Sequence, residues 1–191
     1  MKKSFLIPAL FILAVAAGVG SAVLRILTLS DKSFVRIGPW RTSAATGSDN
    51  AGSELRATIA VTGLLALTRD EVAYFVAVED SSGALLSGDC SYRVEGHNLD
   101  SRWWSLTAYG LDRFLIPNAD HRYTVRSSAA TLDVQGRFTI RLAASQQPGD
   151  WIFISPGHHF LLNLRAYNPS PALNADPASA GLPTITRESC S

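Results

Sequence analysis

The strongest constraint on this chain is a succession of short, strand-like runs broken by turn residues. VAYFVAVE (72–79), CSYRVEG (90–96), RWWSLTAYG (102–110), RYTVRS (122–127), TLDV (131–134), RFTIRLAA (137–144), WIFIS (151–155) and HFLLNLRAY (159–167) are punctuated by Gly, Pro, Asn, Asp and Ser. Short runs rich in β-branched and aromatic residues favour strands over helices. Alternation assigns their faces. In 159–167, Phe160, Leu162, Leu164 and Ala166 fall on one side, with His159, Leu161, Asn163, Arg165 and Tyr167 on the other. In 137–144, Phe138, Ile140 and Leu142 face inward and Thr139 and Arg141 outward. In 102–110, Trp104 shares a face with Leu106 and Ala108, whereas Trp103 lies opposite with Ser105, Thr107 and Tyr109. Half-buried strands need a second layer to cover their apolar side. The expected fold is mainly β: an antiparallel β-sandwich (jelly-roll-like) with one packed helix, preceded by a single N-terminal transmembrane helix.

The packed helix is expected over 54–71, ELRATIAVTGLLALTRDE. Ser53 is its candidate N-cap, Glu54 suits the helix dipole, and Leu55, Ile59 and Leu65 give it an apolar face. Gly63 and the β-branched Thr58, Ile59, Val61 and Thr62 weaken its helix propensity. Gln135-Gly136 is a tight hairpin signal between 131–134 and 137–144. Residues 28–53 are polar, lack periodicity and read as a linker with one turn signal, Gly38-Pro39-Trp40. The tail from Asn168 to Ser191, rich in Pro, Ala and Ser, reads as extended surface chain. No internal repeat is visible.

The N-terminus carries an uncharged run from Ser4 to Leu24 behind Lys2 and Lys3. A spanning helix needs ~20 apolar residues, whereas a signal-peptide core is usually ~7–15 long. The run therefore predicts an uncleaved anchor. Cleavage at the small residues Gly20-Ser21-Ala22, with secretion to the periplasm, is the rival. Arg25, Lys32, Arg36 and Arg41 follow the run, so counting Lys and Arg alone does not place the N-terminus inside. Long domains translocate largely regardless of such charges, and MKK before an apolar run is how a signal anchor begins. The expected organisation is an anchor over 1–27, a linker over 28–53 and a β-sandwich domain over 54–191, in the bacterial inner membrane with the domain facing the periplasm. Ala14, Gly18 and Ala22 form a small-residue ridge, but such residues are common in membrane helices generally.

Cys90 and Cys190 are the only cysteines. They are either a disulfide that fastens the tail to the domain or two unrelated free thiols, and an oxidising envelope compartment favours the pair. Seventeen basic residues are scattered among sixteen acidic ones for a net charge of +1. That distribution lacks the one-sided basic patch of a nucleic-acid binder.

At this level of detail the residues resemble a known family. Cys90-Ser-Tyr92 with Val94 and Gly96, Arg102-Trp-Trp-Ser-Leu-Thr-Ala-Tyr109, Asp112, Phe114-Leu-Ile-Pro-Asn118, Arg122-Tyr123 and Leu164-Arg-Ala-Tyr167-Asn-Pro169 resemble the bacterial domain of unknown function (DUF) 1214 family. Gly38-Pro39-Trp40, the Arg56-Ala57…Gly63–Leu67 stretch and the terminal Cys190 look like its short, membrane-anchored members. The resemblance covers nearly the whole chain, and the RWWS…Y segment with LIPN is its most specific part. It implies a β-sandwich-like domain and an envelope location, and carries no established activity. The chain departs from the family at Asp150-Trp-Ile-Phe-Ile-Ser-Pro156, where members often read Asn-Trp-Leu-Pro-Ala-Pro. If that loop borders a site, the departure bears on specificity.

Motifs for chemistry are sparse. Neither Gly-x-Ser-x-Gly nor Ser-x-x-Lys occurs, which lowers the expectation of an enzyme without excluding one. His158-His159 is a paired imidazole, but neighbours on a strand point to opposite faces, so no metal or other cofactor is expected there. His97 and His121 sit in loops without a further signal. Asp112 beside Arg102, Arg113 or Arg122 could recognise a polar ligand, yet turn chemistry, with Asn118 as a side-chain cap, explains each residue without a ligand and is the preferred reading. The richest polar-aromatic set is Arg102, Trp104, Tyr123, Asn163, Arg165 and Tyr167. Aromatics beside Arg cradle sugars and anions, although buried Trp and Tyr also recruit polar partners for structural reasons. The candidate ligand-binding residues are therefore Arg102, Trp104, Asp112, Asn118, Arg122, Tyr123, Arg165 and Tyr167. The expected role is a non-enzymatic envelope module that binds a small polar ligand, a glycan or a partner protein, or a second copy of itself. An envelope carbohydrate hydrolase or lyase, and a structural module without a ligand, are the alternatives.

Overall fold

The computed structural model describes residues 3–29, 34–43, 45–48, 51–61 and 66–191. Lys2, Lys32, Thr62, Gly63 and Leu65, named above, lie outside the described residues. Helix α1 (Lys3–Leu29) is exposed over Ile7–Leu24, a span long and apolar enough to cross a membrane. Beyond it come β1 (Val35–Ile37), β2 (Trp40–Thr42), α2 (Ser53–Val61), β3 (Val72–Ala77), β4 (Cys90–His97), β5 (Ser101–Gly110), β6 (Thr124–Arg126), β7 (Arg137–Ala143), β8 (Trp151–Phe153), β9 (Phe160–Pro169), α3 (Pro171–Ala175) and β10 (Thr184–Cys190).

The strands form a six-stranded sheet, β1-β2-β3-β9-β5-β6, and a four-stranded sheet, β10-β4-β7-β8. One hydrophobic cluster joins their inner faces. Trp104 of the first sheet meets Phe138 of the second with ring centroids 4.7 Å apart, and Phe160 meets Tyr92 edge-on at 5.8 Å. The alternation expected for β9, β7 and β5 is realised. Phe160, Leu162, Leu164 and Ala166 are buried with Phe138, Ile140, Leu142, Trp104, Leu106 and Ala108. The fold is thus mainly β, with two sheets sharing one core and few helices.

The pairing is mixed. β7 and β8 run parallel, Arg141 opposite Trp151 through Ala143 opposite Phe153, so the second sheet is not purely antiparallel as a jelly roll would be. The stretch 131–134 makes only one bridge, Leu132 to Phe138, because Asp133 turns the chain. Its Oδ1 accepts the N–H groups of Gln135 and Arg137 at 2.8 and 2.9 Å, with Gly136 at φ +72.

Two segments read as irregular carry structure. Within 28–53, β1 and β2 form a hairpin about Gly38-Pro39, and Arg41 pairs with Val76, adding the hairpin to the first sheet. Trp40 is fully buried and its indole N–H donates to the Pro183 carbonyl at 2.7 Å. Part of the expected linker thus contributes two strands to the first sheet. In the tail, Ser170 caps α3 by accepting the Leu173 N–H at 3.1 Å, with Pro171 in the first turn, and Leu173 is buried. β10 then pairs along β4, inserting Ile185 into the core. The helix expected over 54–71 ends sooner, since 66–68 are not helical. Its first hydrogen bond runs from Arg56 N to Gly52 O at 3.0 Å, so Gly52 takes the capping place expected of Ser53.

Cys90 and Cys190 are direct partners in the β4–β10 ladder and form a disulfide. The tail is thereby fastened to the domain, and both thiols are used.

Candidate functional site

Antiparallel pairing brings the end of β5 beside the start of β9, with Gly110 opposite Phe160. The loops leaving that end, 111–117 and 155–159, wall a cleft of about 490 Å³. Cavities of roughly 300–1,000 Å³ are the usual size for small-molecule sites. Leu111, Phe114 and Leu115 line it while 58%, 75% and 45% exposed, and Ile116, Pro117 and Phe160 extend the apolar wall. Asp112, Ser155, His158 and His159 supply the polar side chains.

Local hydrogen bonds hold both loops in place. In the first, Asp112 Oδ1 accepts the Phe114 N–H at 3.0 Å, while Gly110 N donates to Phe114 O at 2.9 Å. Arg113 adopts φ +69 between them, the left-handed turn that closes the loop. In the second, Gly157 N donates to Asp89 Oδ1 at 2.6 Å and Gly88 N to His158 O at 2.8 Å. His158 Nδ1 lies 2.9 Å from Pro156 O, and His159 Nδ1 2.9 Å from Leu86 O. A carbonyl oxygen only accepts, so each Nδ1 carries a proton and donates. The loop that departs from the family pattern, ending Ser155-Pro156, is one wall of the cleft.

Strand direction fixes where the cleft lies. β1 advances from Val35, opposite Thr42, to Ile37, opposite Trp40, and Arg41 pairs with Val76. β1 thus points toward the Ala77 end of β3, which lies beside Leu162 near the start of β9. The chain arrives at β1 from the end of the sheet opposite the cleft.

The predicted ligand residues fall into separate places. Trp104 is 1% exposed, and its indole N–H donates to Asn98 Oδ1 at 2.7 Å, so it belongs to the core. Asp112 lines the cleft, and no ion pair joins it to Arg102, Arg113 or Arg122 among the described residues. Arg102 is exposed near the start of β5 and Asp112 follows its end, so the strand from Arg102 to Gly110, rising ~3.3 Å per residue, separates them. Asn118 serves as the turn cap: its amide donates to Ile116 O at 3.0 Å and its Oδ1 accepts the Arg122 N–H at 2.8 Å. Arg122 is exposed beside it, and the half-buried Tyr123 hydroxyl lies 3.4 Å from His121 Nδ1.

Arg165 and Tyr167 lie on the outer face of the six-stranded sheet. Arg165 Nη2 donates to the Tyr109 hydroxyl at 3.0 Å, with its guanidinium carbon 5.5 Å from that ring's centre. Tyr167 packs against Trp103 at 4.9 Å. Asn163, next along the same face beyond Arg165, is buried, and its Oδ1 has no hydrogen-bond partner among the described residues. Sequence reasoning missed Leu111, Phe114 and Leu115. Their signal is large apolar side chains in a segment too turn-rich to bury them all.

A family model described as a protein of unknown function (DUF1214) matches residues 71–171. The chain belongs to this family. Both walls of the cleft fall inside the matched DUF1214 segment, whereas α1, β1, β2, α2 and β10 fall outside it. No curated protein matches the chain. Among solved structures, the VPA0106 protein from Vibrio parahaemolyticus aligns with a TM-score of 0.65 at 22% identity, over 90% of this chain and 44% of that one. An uncharacterized protein from Burkholderia cenocepacia aligns at 0.43 and 17% identity, over 63% and 30%. This DUF1214 chain shares its fold with the Vibrio protein and spans less than half of that protein's length.

Proposed function

We propose that this DUF1214 member is a single-pass protein of the bacterial inner membrane, anchored by residues 1–27, whose periplasmic domain binds a small ligand in the cleft between loops 111–117 and 155–159. The observation that carries the reading is the exposure of Leu111, Phe114 and Leu115 around one cavity. Fully burying a Leu or Phe side chain is worth about 1.5–3 kcal/mol. Here hydrogen-bonded loops hold three such side chains 45–75% exposed to water, a surface that a ligand would cover. The walls suit a molecule with an apolar body better than the small polar ligand or glycan expected from the arginine–aromatic set. The Cys90–Cys190 disulfide supports an oxidising compartment, and the direction of β1 supports a cleft turned away from the bilayer.

A second reading rests on the outer sheet face, where the half-exposed Trp103–Tyr167 and Tyr109–Arg165 pairs offer stacking and a guanidinium to a polar ligand, a glycan or a partner protein. The two readings separate by mutation. The full chain in zwitterionic lipid nanodiscs is screened by calorimetry and thermal shift against small aromatic and aliphatic compounds and against sugars. Binding abolished by Phe114→Ser and unchanged in Arg165→Ala supports the cleft; the reverse pattern moves the site to the sheet face. A phosphatase fused after Ser191 should be active in cells, and an inactive fusion would sink the periplasmic placement.

A further inference from the structure

The cleft accepts hydrogen bonds and carries negative charge, and we infer that its ligand is an organic cation: a protonated amine on an apolar body. The inference rests on the cleft reading above and specifies its chemistry.

Several donors around the cleft are spent on the protein itself. The backbone N–H groups of Gly110, Phe114, Gly157 and Phe160 donate to Phe114 O, Asp112 Oδ1, Asp89 Oδ1 and Leu86 O. Each His158 and His159 ring donates through Nδ1 to a backbone carbonyl. A neutral imidazole with its proton on Nδ1 presents a bare lone pair at Nε2. In that form both exposed rings offer acceptors. Asp112 is acceptor-only when ionised; one oxygen holds the Phe114 N–H, and the other has no protein partner among the described residues. Among the lining side chains, the Ser155 hydroxyl is the donor left without a protein acceptor among the described residues.

The charge agrees. Asp112 is the one carboxylate among the lining residues, and the adjacent Arg113, turned by its φ of +69, is not among them. The exposed Phe114 ring adds a face that attracts cations. An anion would meet the Asp112 carboxylate with no Lys or Arg side chain on the lining to answer it. A neutral apolar molecule would fill the walls but leave the polar side of the cleft without a partner. An ammonium group supplies up to three donors to Asp112 and the histidine nitrogens while its hydrocarbon covers Leu111, Phe114 and Leu115.

The test compares three probes that share one phenylethyl body: 2-phenylethylamine, 2-phenylethanol and 3-phenylpropanoate. Each is titrated calorimetrically into the full chain in zwitterionic nanodiscs, with empty nanodiscs subtracted. The amine should bind about tenfold more tightly than the alcohol, and the carboxylate most weakly. Asp112→Asn keeps the oxygen that caps the Phe114 N–H, so the loop is retained. It should weaken the amine about tenfold and leave the alcohol unchanged. Phe114→Ser should weaken all three probes. Equal affinities, a preference for the carboxylate, or an amine affinity unaltered by Asp112→Asn would overturn the cation assignment while leaving the cleft as a binding site. Failure of all three probes to bind would remove both.

Discussion

Cys90 and Cys190 face one another across the β4–β10 ladder, joined by a disulfide that closes a loop of sequence separation 100. β10 is a sheet edge whose inward contact is largely Ile185, with the remaining side chains exposed. The bond therefore adds a covalent tie to the ladder that holds that strand. Loop-closure entropy for a crosslink of this span amounts to about 4–5 kcal/mol at most. Cys190→Ser should lower stability by about 2–5 kcal/mol in urea unfolding. Reductant should do the same to the native chain and nothing to the variant. Alkylation and mass measurement of envelope-purified protein without reductant should detect no free thiol; two would contradict the pairing.

Asp80 gives the domain a defined acid response. Its side chain is 2% exposed, and burial by itself would raise its pKa. The Ser82 hydroxyl, the backbone N–H groups of Ala84 and Ser82, and Arg187 outweigh that effect and hold the carboxyl below its ordinary value. Arg187 approaches Oδ2 at 3.1 Å as an ion pair without hydrogen-bond alignment. A carboxyl whose folded pKa lies below the unfolded value stabilises the fold fully above about pH 4, and that contribution is lost as pH falls through the folded value. Asp80→Asn should cost about 1.5–3 kcal/mol at pH 7. The difference from the native chain should shrink steadily below pH ~4. A gap that stays constant with pH would show that the charge is not what stabilises this turn.

The two adjacent tryptophans should behave differently. Trp104→Ala opens a cavity beside Phe138 and should cost about 3–5 kcal/mol. Trp103→Ala removes a half-exposed ring contact with Tyr167 and should cost nearer 1 kcal/mol. Comparable losses in thermal unfolding would contradict the assignment of faces.

Much of this was legible in the sequence because side-chain direction in a strand has period two. Alternation along 102–110, 137–144 and 159–167 placed Trp104, Phe138 and Leu162 inside before any contact was known. What escaped had weak or conflicting local signals. β10 carries a single buried apolar residue, Ile185, and owes its place to β4 and a disulfide partner far along the chain. The β1–β2 hairpin is two three-residue strands, and Trp40 alone in a polar stretch does not announce a core position. The candidate site divides in the same way. Asn118 as a turn cap follows from residue chemistry, whereas the cleft depends on Gly110 and Phe160 being paired, a long-range relation that local pattern does not encode.

The close approach of Gly88 to Ser155 ties the cleft wall to the loop before β4. A Cβ on Gly88 would fall 1.7 Å from Ser155 O and 2.5 Å from Ser155 C, both backbone atoms that cannot rotate aside. Gly88 also donates its N–H to His158 O, and its neighbour Asp89 accepts from Gly157. Gly88→Ala must therefore push the 155–159 loop outward and carry His158 and His159 with it. Crowding of this kind costs about 1–3 kcal/mol in stability, and the larger consequence should be at the cleft. In NMR spectra the imidazole C–H signals of His158 and His159 should shift, while those of His97, on the other sheet, stay in place. Loss of 2-phenylethylamine binding in a variant that still unfolds cooperatively would show that the wall, and not the fold as a whole, had moved. Unchanged histidine signals would mean that Gly88 and Ser155 do not approach this closely.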